Sequence, residues 1–286
     1  MSAQRQLMDP DRREFDMNDA DFQAISDLLY RRAGIVLGDH KRELVYARLA
    51  RRLRTLGLGD FQSYRAVLES ESGQDEQNVL INALTTNHTR FFRESHHFDY
   101  LADTLVPLWL NEIRMGRRTR VRIWSAGCSS GEEPYSIALV LARFRDLMSR
   151  ADVKILATDI DTQVLATARA GLYPANAEST LDAPAQKRIE HVNGQIGMPE
   201  LERGLITFNK LNLHGPWPMK GLFDVIFCRN VTIYFDTPTK TRLLQRFHDQ
   251  LTPSGLLFMG HSESLVSGET GFVSAGRTVY RRREAE

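Results

Sequence analysis

The sequence predicts an α/β protein in which an all-helical N-terminal region precedes a parallel sheet. Two observations lead to this fold class. Apolar residues recur at helical spacing through residues 19 to about 92, where no convincing strand pattern occurs. From residue 121 onward, short apolar strands alternate with helical segments, which is typical of a parallel sheet. A ligand of such a sheet is expected at the carboxyl ends of its strands.

Four helices are predicted in the N-terminal region. The first follows a capping residue at Asn18 or Asp19. The second runs from about 41 to 56 and stops at a pair of glycines. Two further helices are expected over 61–68 and 77–84.

The second region is predicted to begin after a helix over 101–115 and a polar hinge over 116–120. Strands are expected over 121–124, 153–157, 223–227, 255–259 and 278–280, and helices over 133–148, 162–170 and 238–251. Thr237 is the predicted N-cap of the last helix. Prolines and glycines interrupt the alternation over 172–208, which predicts an inserted subdomain with a strand over 205–208.

Composition excludes several classes of protein. The 286 residues are 42% hydrophobic and 26% charged, as in ordinary globular chains, and the net charge of +1 offers no general attraction for nucleic acid or anionic lipid. Cys128 and Cys228 are expected to be reduced thiols. Residues 1–14 are too polar for a secretory signal, and no apolar run is long enough for a membrane span, so a cytoplasmic location is expected.

A loop of small residues, Ser125 to Gly131, joins the first strand to a helix. Small residues let a ligand approach the backbone, and the start of the helix offers unpaired N–H groups. The loop matches neither a P-loop nor Gly-x-Gly-x-x-Gly. Glu132 and Glu133 stand where a pyrophosphate would need positive potential, which favours a cationic ligand such as S-adenosylmethionine. The alternative is a helix N-terminus with favourable acids.

Asp159 follows the next strand and is expected at its carboxyl end. An acid at this position commonly accepts hydrogen bonds from ribose hydroxyls in Rossmann-like sites. The alternative is an N-cap, a role that Asp161 fits better. The combination of loop and acid indicates an adenosine-type ligand but does not distinguish methyl transfer from hydride transfer.

Four motifs narrow the choice. They occur at Thr85–Glu94, Ser129–Ser136, Cys228–Phe235 and Gly260–Glu263. In this order they resemble the Thr-Asn-x-Thr-x-Phe-Phe-Arg, Ser-x-Gly-Glu-Glu-Pro-Tyr-Ser, Cys-Arg-Asn-Val-x-Ile-Tyr-Phe and Gly-His-Ser-Glu signatures of the bacterial chemotaxis receptor methyltransferases, the CheR family. The resemblance extends from about residue 15 to 283.

The resemblance implies an N-terminal, receptor-docking helical domain over 1–92, a linker and helix over 93–120, and a Rossmann-like class I methyltransferase domain over 121–286. The insertion at about 172–208 then forms a small antiparallel β-subdomain. Within the family, Glu133 corresponds to a contact of the methionine amino group and Asp159 to a contact of the ribose. The full set of implied cofactor contacts is Asn87, Thr89, Arg93, Glu133, Asp159, Asn212, Leu213, Asn230 and Val231.

The implied reaction transfers a methyl group from S-adenosylmethionine to glutamate side chains of chemoreceptors, leaving S-adenosylhomocysteine. A glutamate with a pKa of about 4.3 is already a nucleophilic carboxylate at neutral pH, so no general base or metal is expected. Arg93 and Tyr234 are expected nearest the methyl group, Arg93 to hold the carboxylate and Tyr234 to orient it or the sulfonium. The alternatives are an ion pair of Arg93 with Glu94 or Asp99, and core packing of Tyr234.

The second predicted helix is strongly basic. Its candidate docking residues are Lys41, Arg48, Arg51 and Arg52. Such a run is usually a solvated face, and nucleic acid is a second possibility that the scarcity of aromatic residues disfavours. The family resemblance implies a third, a docking surface for the acidic coiled coil of a chemoreceptor cytoplasmic domain. The enzyme is expected to act as a monomer without inserting into the membrane.

Three rival functions fit the sequence less well. A nucleic-acid methyltransferase often carries an Asp/Asn-Pro-Pro-Tyr/Phe turn, whereas residues 229–232 contain no proline. A non-catalytic regulator that binds S-adenosylmethionine would be signalled by loss of Arg93 or Tyr234, and both are present. A nicotinamide oxidoreductase is disfavoured by Glu132 and Glu133 at the phosphate position.

Overall fold

The computed structural model describes residues 13–263, 265 and 271–283. The polar segment 1–14, predicted not to be a signal, therefore lies almost entirely outside the described residues. The chain divides into two compact units, Met1–Thr85 and Thr86–Glu286. This boundary lies before the predicted position 92, because Phe91 and Phe92 pack into hydrophobic clusters of the second unit.

The first unit is helical in its described part. Its helices are α1 (Asp19–Ala33), α2 (Arg42–Leu56), α3 (Phe61–Glu69) and α4 (Gln74–Leu84), which confirms the four predicted helices. Asn18 caps α1 by accepting from the Asp21 amide, and the Asp21 carboxylate accepts from the Asn18 amide in return. Gly57, with φ of 67°, ends α2 in the left-handed conformation that glycine adopts most readily.

The second unit combines helices with two sheets. Its strands are β1 (Arg120–Ala126), β2 (Asp152–Asp159), β3 (Leu172–Pro174), β4 (Glu190–Val192), β5 (Gln195–Gly197), β6 (Ile206–Lys210), β7 (Phe223–Cys228), β8 (Leu251–Met259), β9 (Phe272–Gly276) and β10 (Val279–Arg282). Its helices are α5 (His96–Tyr100), α6 (Val106–Arg114), α7 (Glu132–Leu141), α8 (Arg145–Arg150), α9 (Thr162–Ala170), α10 (Ala183–Gln186), α11 (Glu200–Leu205) and α12 (Thr237–Gln250).

The main sheet has the strand order β6-β2-β1-β7-β8-β10-β9. Strands β6, β2, β1, β7 and β8 run parallel, and β10 pairs antiparallel with β8 and β9. The predicted parallel α/β sheet is confirmed. The carboxyl ends of β1, β2 and β7 therefore meet at one edge, where the candidate site lies. No helix within the described residues combines the length and the hydropathy needed to cross a bilayer.

The predicted insertion contains a three-stranded antiparallel sheet in the order β3-β5-β4. Asn193 and Gly194 join β4 to β5 with positive φ angles of 50° and 75°, as a two-residue hairpin turn requires. The hydroxyl of Tyr173 on β3 donates to the Ser130 carbonyl at 2.8 Å. This hydrogen bond ties the subdomain to the small-residue loop after β1.

Several predicted elements differ from the structure. The strand predicted at 205–208 is β6, which joins the main sheet beside β2 rather than the insertion. The helix predicted at 133–148 is two helices, because the chain leaves the helical conformation at Phe144 while both halves bury apolar side chains. Strand β9 was not predicted. Asp236, not Thr237, caps α12 by accepting from the Thr239 amide at 2.9 Å. The helix predicted at 101–115 starts five residues earlier, with α5, continues through a π-helical turn at Leu101–Leu105 and ends with α6.

Candidate active site

The loop after β1 passes very close to the turn after β7. Gly127 and Gly131 have φ angles of 84° and 98°, and Ser129 between them has φ of 50°. A Cβ atom on Gly127 would overlap the Cγ2 atom of Val231. The amides of Gly127 and Cys128 donate to the Thr158 carbonyl at 2.8 and 2.9 Å. The glycine is therefore required both by the backbone conformation and by the packing.

Asp159 lies at the end of β2, and its carboxylate is buried beneath this loop. It accepts hydrogen bonds from the amides of Ser129 at 2.8 Å and Asp161 at 2.9 Å. Burial raises the pKa of Asp159, and these backbone hydrogen bonds partly offset the rise. Asp161 caps α9, as its sequence position favours.

Asn87 lies beside the same loop. Its side-chain amide donates to the Asp161 carboxylate at 2.7 Å, and its carbonyl accepts from the Ser129 hydroxyl at 3.1 Å. The structure therefore brings Asn87 and Asp159 together through Ser129 and Asp161. Thr89 is half-buried in the same segment.

Glu133 lies in the first turn of α7, and its side chain is largely buried. Its carboxylate accepts from the Ser125 hydroxyl at 2.7 Å and from the Arg229 guanidinium at 3.1 Å. Burial raises the pKa of Glu133, and the positive charge of Arg229 opposes this. Burial also raises the pKa of the neighbouring Glu132. Two acids thus line the start of α7, where a cationic ligand group would find acceptors.

Arg229 was not identified from the sequence as a site residue, although it lies within one of the family motifs. Its side chain is only 2% exposed and bridges Glu133 and Glu94, with an Nη2–Oε2 distance of 3.2 Å to Glu94. It also donates to the Arg93 carbonyl. Burial acts to raise the pKa of Glu94, but hydrogen bonds from His261 and the charge of Arg229 outweigh burial and hold it at about 2. Through the hydrogen bond from Arg229 to the Arg93 carbonyl, this network fixes the backbone position of Arg93.

Arg93 itself donates to the His88 carbonyl at 2.9 Å. Its neighbour Glu94 pairs instead with Arg229 and His261, so the alternative of an Arg93–Glu94 ion pair is not observed. The flanking residues Phe92 and Glu94 have φ angles of 50° and 58°, an uncommon conformation for residues other than glycine. Such backbone strain is typical of functional sites.

Tyr234 ends a 3₁₀ turn, Thr232–Tyr234, and is half-buried. The turn follows Asn230, whose φ of 61° is also left-handed. The Glu263 carboxylate accepts from the backbone amides of this turn, a contact that the sequence did not reveal even though Glu263 ends a family motif.

Asn212 and Leu213 follow β6. The Leu211 amide donates to the Asp159 carbonyl, which holds this segment against the end of β2. The Asn212 side chain accepts from the His214 amide at 2.9 Å. Arg246, which the sequence also did not indicate, lies 3.7 Å from the centre of the Trp217 ring and donates to the Leu213 carbonyl at 2.7 Å.

The four predicted docking residues, Lys41 just before α2 and three arginines within it, differ in their surroundings. Lys41 and Arg51 are exposed. Arg52 forms an ion pair with the buried Glu76 at 2.5 Å, and Arg48 donates to the Thr85 carbonyl at 2.7 Å. Two of the four predicted docking residues thus stabilise the first unit internally.

Comparison with known proteins identifies the family. Residues 20–85 match the all-alpha domain of CheR methyltransferases, and residues 87–281 match their SAM binding domain. The chain belongs to the CheR methyltransferase family. It is 46% identical over 262 residues to a probable chemotaxis protein methyltransferase of Rhizobium etli, covering 89% of this chain and 96% of the relative. The chemotaxis protein methyltransferase of Escherichia coli is also 46% identical, with 92% of this chain and 91% of the relative covered.

Membership of the CheR family makes S-adenosylmethionine the cofactor of the second unit. The residues present fit this group. Glu133 in the first turn of α7 and Asp159 at the end of β2 provide largely buried carboxylates, as a cationic methionine moiety and a ribose require. The absence of a side chain at Gly127 keeps the loop close to Val231, where added bulk would force the two apart.

Proposed function

We propose that this CheR methyltransferase esterifies glutamate side chains of chemoreceptors, with S-adenosylhomocysteine as the second product. Relatives at 46% identity that are named chemotaxis protein methyltransferases support methyl transfer in chemotaxis. The glutamate specificity is supported by the motifs at 85–94 and 228–235 and by the family that they resemble. The observation that carries the proposal is the buried Glu133–Arg229–Glu94 network. Through Arg229 it joins Glu133, the proposed acceptor of the methionine ammonium, to the backbone of Arg93.

The chemistry requires orientation rather than proton transfer. S-adenosylmethionine, when bound, supplies a methyl group on a sulfonium sulfur. A glutamate carboxylate oxygen would bond to this methyl carbon, the sulfur would keep the electron pair of the broken carbon–sulfur bond as the thioether of S-adenosylhomocysteine, and no proton would move. Arg93 holds the incoming carboxylate by charge-assisted hydrogen bonds, and the Tyr234 hydroxyl orients the reacting groups. Glu133 would accept from the methionine ammonium, and Asp159 would accept from the ribose. The remaining proposed cofactor contacts are Asn87, Thr89, Asn212, Leu213, Asn230 and Val231.

The product identifies the reaction. Incubation with methyl-labelled S-adenosylmethionine and receptor cytoplasmic fragments should give label that base releases as methanol, as expected of a carboxyl ester. Base-stable label would overturn the proposed glutamate specificity.

The role of Arg93 is tested by Arg93→Ala, which should lower turnover by about 100-fold or more while the variant stays folded. Arg90 is an exposed arginine of the same segment at a variable position of the motif, so Arg90→Ala is the matched control and should keep turnover. Near-normal turnover by folded Arg93→Ala would remove the assigned role.

We also propose that the exposed part of the basic helix docks the acidic coiled coil of the receptor. Lys41→Glu combined with Arg51→Glu should weaken receptor binding at low salt and make it less sensitive to salt. Charge reversal at Arg48 or Arg52 would instead disturb internal contacts of the first unit. The monomeric state, the absence of nucleic-acid binding and the cytoplasmic location stay predictions.

The control for the docking test is Arg117→Glu combined with Arg150→Glu, which changes two exposed arginines of the second unit and alters the net charge by the same amount. If both double variants weaken receptor binding equally, general electrostatic attraction rather than a docking face accounts for the effect.

A further inference from the structure

A single buried carboxylate holds the turn after β7. Glu263 is 6% exposed. Its Oε2 atom accepts from the amides of Asn230 at 2.6 Å and Gly260 at 2.8 Å. Its Oε1 atom accepts from the Val231 amide at 2.8 Å, the Thr232 amide at 2.6 Å and the Thr232 hydroxyl at 2.9 Å. Donors from two separate segments therefore converge on one side chain.

No arginine, lysine or histidine within residues 13–263, 265 and 271–283 forms an ion pair with Glu263. A buried carboxylate loses much of its hydration, and this loss is tolerated only where hydrogen-bond donors replace water. Here the replacement consists of backbone amides and one hydroxyl. The carboxylate and the conformation of the turn consequently depend on each other.

The backbone of the turn explains why its amides converge. Asn230 has φ of 61° and Val231 has φ of −115° and ψ of −46°, and this alternation of left- and right-handed residues points successive N–H groups toward one anion. The packing is tight, since a Cβ atom on Gly260 would lie 2.7 Å from the Glu263 Oε2 atom and 2.8 Å from the Asn230 Nδ2 atom.

We propose that Glu263 is a positioning residue for the cofactor, acting through the backbone of Asn230 and Val231. This inference rests on the proposed function, which places S-adenosylmethionine against those two residues. Glu263 holds Asn230 in its left-handed conformation and sets the position of Val231, whose side chain closely approaches Gly127. The Glu263 carboxylate therefore sets both the conformation of the turn after β7 and the distance between this turn and the loop after β1.

The test replaces the carboxylate with an amide of the same shape. Glu263→Gln removes one acceptor oxygen and directs N–H groups of the new amide against backbone N–H groups. Glu202 provides a matched control because it is fully buried in the same unit and accepts from Arg188 at 2.5 Å outside the candidate site. Glu202→Gln thus makes the same change to a buried, hydrogen-bonded carboxylate.

Three measurements separate positioning from general stability. Hydrogen exchange of the amides at 230–232 and 260 should accelerate in Glu263→Gln without ligand. The dissociation constant of S-adenosylhomocysteine, measured by calorimetry, should rise by about 10-fold or more, as expected from losing charge-assisted hydrogen bonds. The KM for S-adenosylmethionine should rise while the KM for the receptor fragment stays unchanged. Glu202→Gln should alter none of these, even if both variants melt at lower temperature.

Rapid exchange of the turn amides together with unchanged affinity for S-adenosylhomocysteine would overturn the inference. If Glu263→Gln does not fold, Gly260→Ala provides the second test, because its methyl group presses on the same carboxylate. Unchanged binding by a folded Gly260→Ala variant would then overturn the inference. Failure of the unaltered protein to bind S-adenosylhomocysteine would count against the proposed function instead.

Discussion

Replacing Arg229 by methionine should destabilise the second unit strongly. The Arg229 side chain is 2% exposed, and the carboxylates that it bridges are 10% exposed at Glu94 and 12% exposed at Glu133. Methionine fills much of the same volume but leaves two buried negative charges without their shared cation. Breaking a buried ion pair from one side costs about 3–5 kcal/mol, and we expect the free energy of unfolding to fall by about this amount at neutral pH.

The destabilisation should depend on pH in a defined direction. Without the cation, the pKa of Glu133, which burial already raises, should rise further above its value in the unfolded chain, and the pKa of Glu94 should rise from about 2 although its hydrogen bonds from His261 remain. The folded state then binds more protons than the unfolded state, so its stability decreases as pH rises through this range. The difference between the variant and the unaltered protein should therefore be smaller at pH 5 than at pH 7.5.

Urea unfolding followed by tryptophan fluorescence is the appropriate assay. All three tryptophans lie within the second unit, so their signal reports the unfolding of that unit and not of the helical unit. Arg118 is the control, because it also bridges two carboxylates, Glu112 and Asp224. Arg118→Met should reduce stability but retain methyl transfer, whereas Arg229→Met should lower turnover by about 100-fold through displacement of Arg93. A destabilisation by Arg229→Met that is the same at both pH values would refute the reasoning.

Further predictions concern backbone strain, acid stability and helix capping. Gly127→Ala should lower the free energy of unfolding by about 2–5 kcal/mol, from the left-handed conformation plus overpacking, whereas Gly116→Ala, with a similar φ but no neighbour, should lose only about 1–2 kcal/mol in urea titrations. The pKa of Glu94 lies at about 2 against an ordinary 4.5, which contributes about 3 kcal/mol of stability that is present above pH 4.5 and lost as pH falls toward 2. When Glu94→Gln is unfolded in urea at a series of acidic pH values, its free energy of unfolding should not show this decrease. Asp236→Ala should cost about 1 kcal/mol in urea unfolding and Thr237→Ala much less, because Asp236 is the cap.

The elements that the sequence predicted correctly are those with local signals. Helix α1 has a capping residue at Asn18 and a glycine after its last turn, and both lie within a few positions of the residues they affect. Strand β7 is apolar over most of its length, and β1 and β2 become continuously buried toward their carboxyl ends, because both faces of a parallel sheet are covered. The division of residues 133–148 into two helices could not be predicted, since both halves present buried apolar residues in a continuous pattern.

The candidate site was predictable where residue type and strand position suffice. Glu133 is an acid at the helix start after the loop, and Asp159 is an acid at the end of a strand; their charge and positions predict a cationic, adenosine-type ligand. The role of Arg229 depends on Glu133 and Glu94, which lie 96 and 135 positions away in the chain, and periodicity carries no information about such contacts. The same applies to Arg52, whose partner Glu76 is buried although its residue type is usually exposed.

The hydrogen bond from Tyr173 to the Ser130 carbonyl has a thermodynamic consequence. It connects the three-stranded sheet directly to the loop after β1, in which the amide of the preceding residue, Ser129, donates to the Asp159 carboxylate. A partner that binds the subdomain and displaces Tyr173 must alter the energy of this loop. By reciprocity, the cofactor must then change the affinity of that partner by the same factor. The concentrations of methyl donor and of partner would then both shift the conformational equilibrium of this loop, and the Tyr173 hydroxyl would link the two effects.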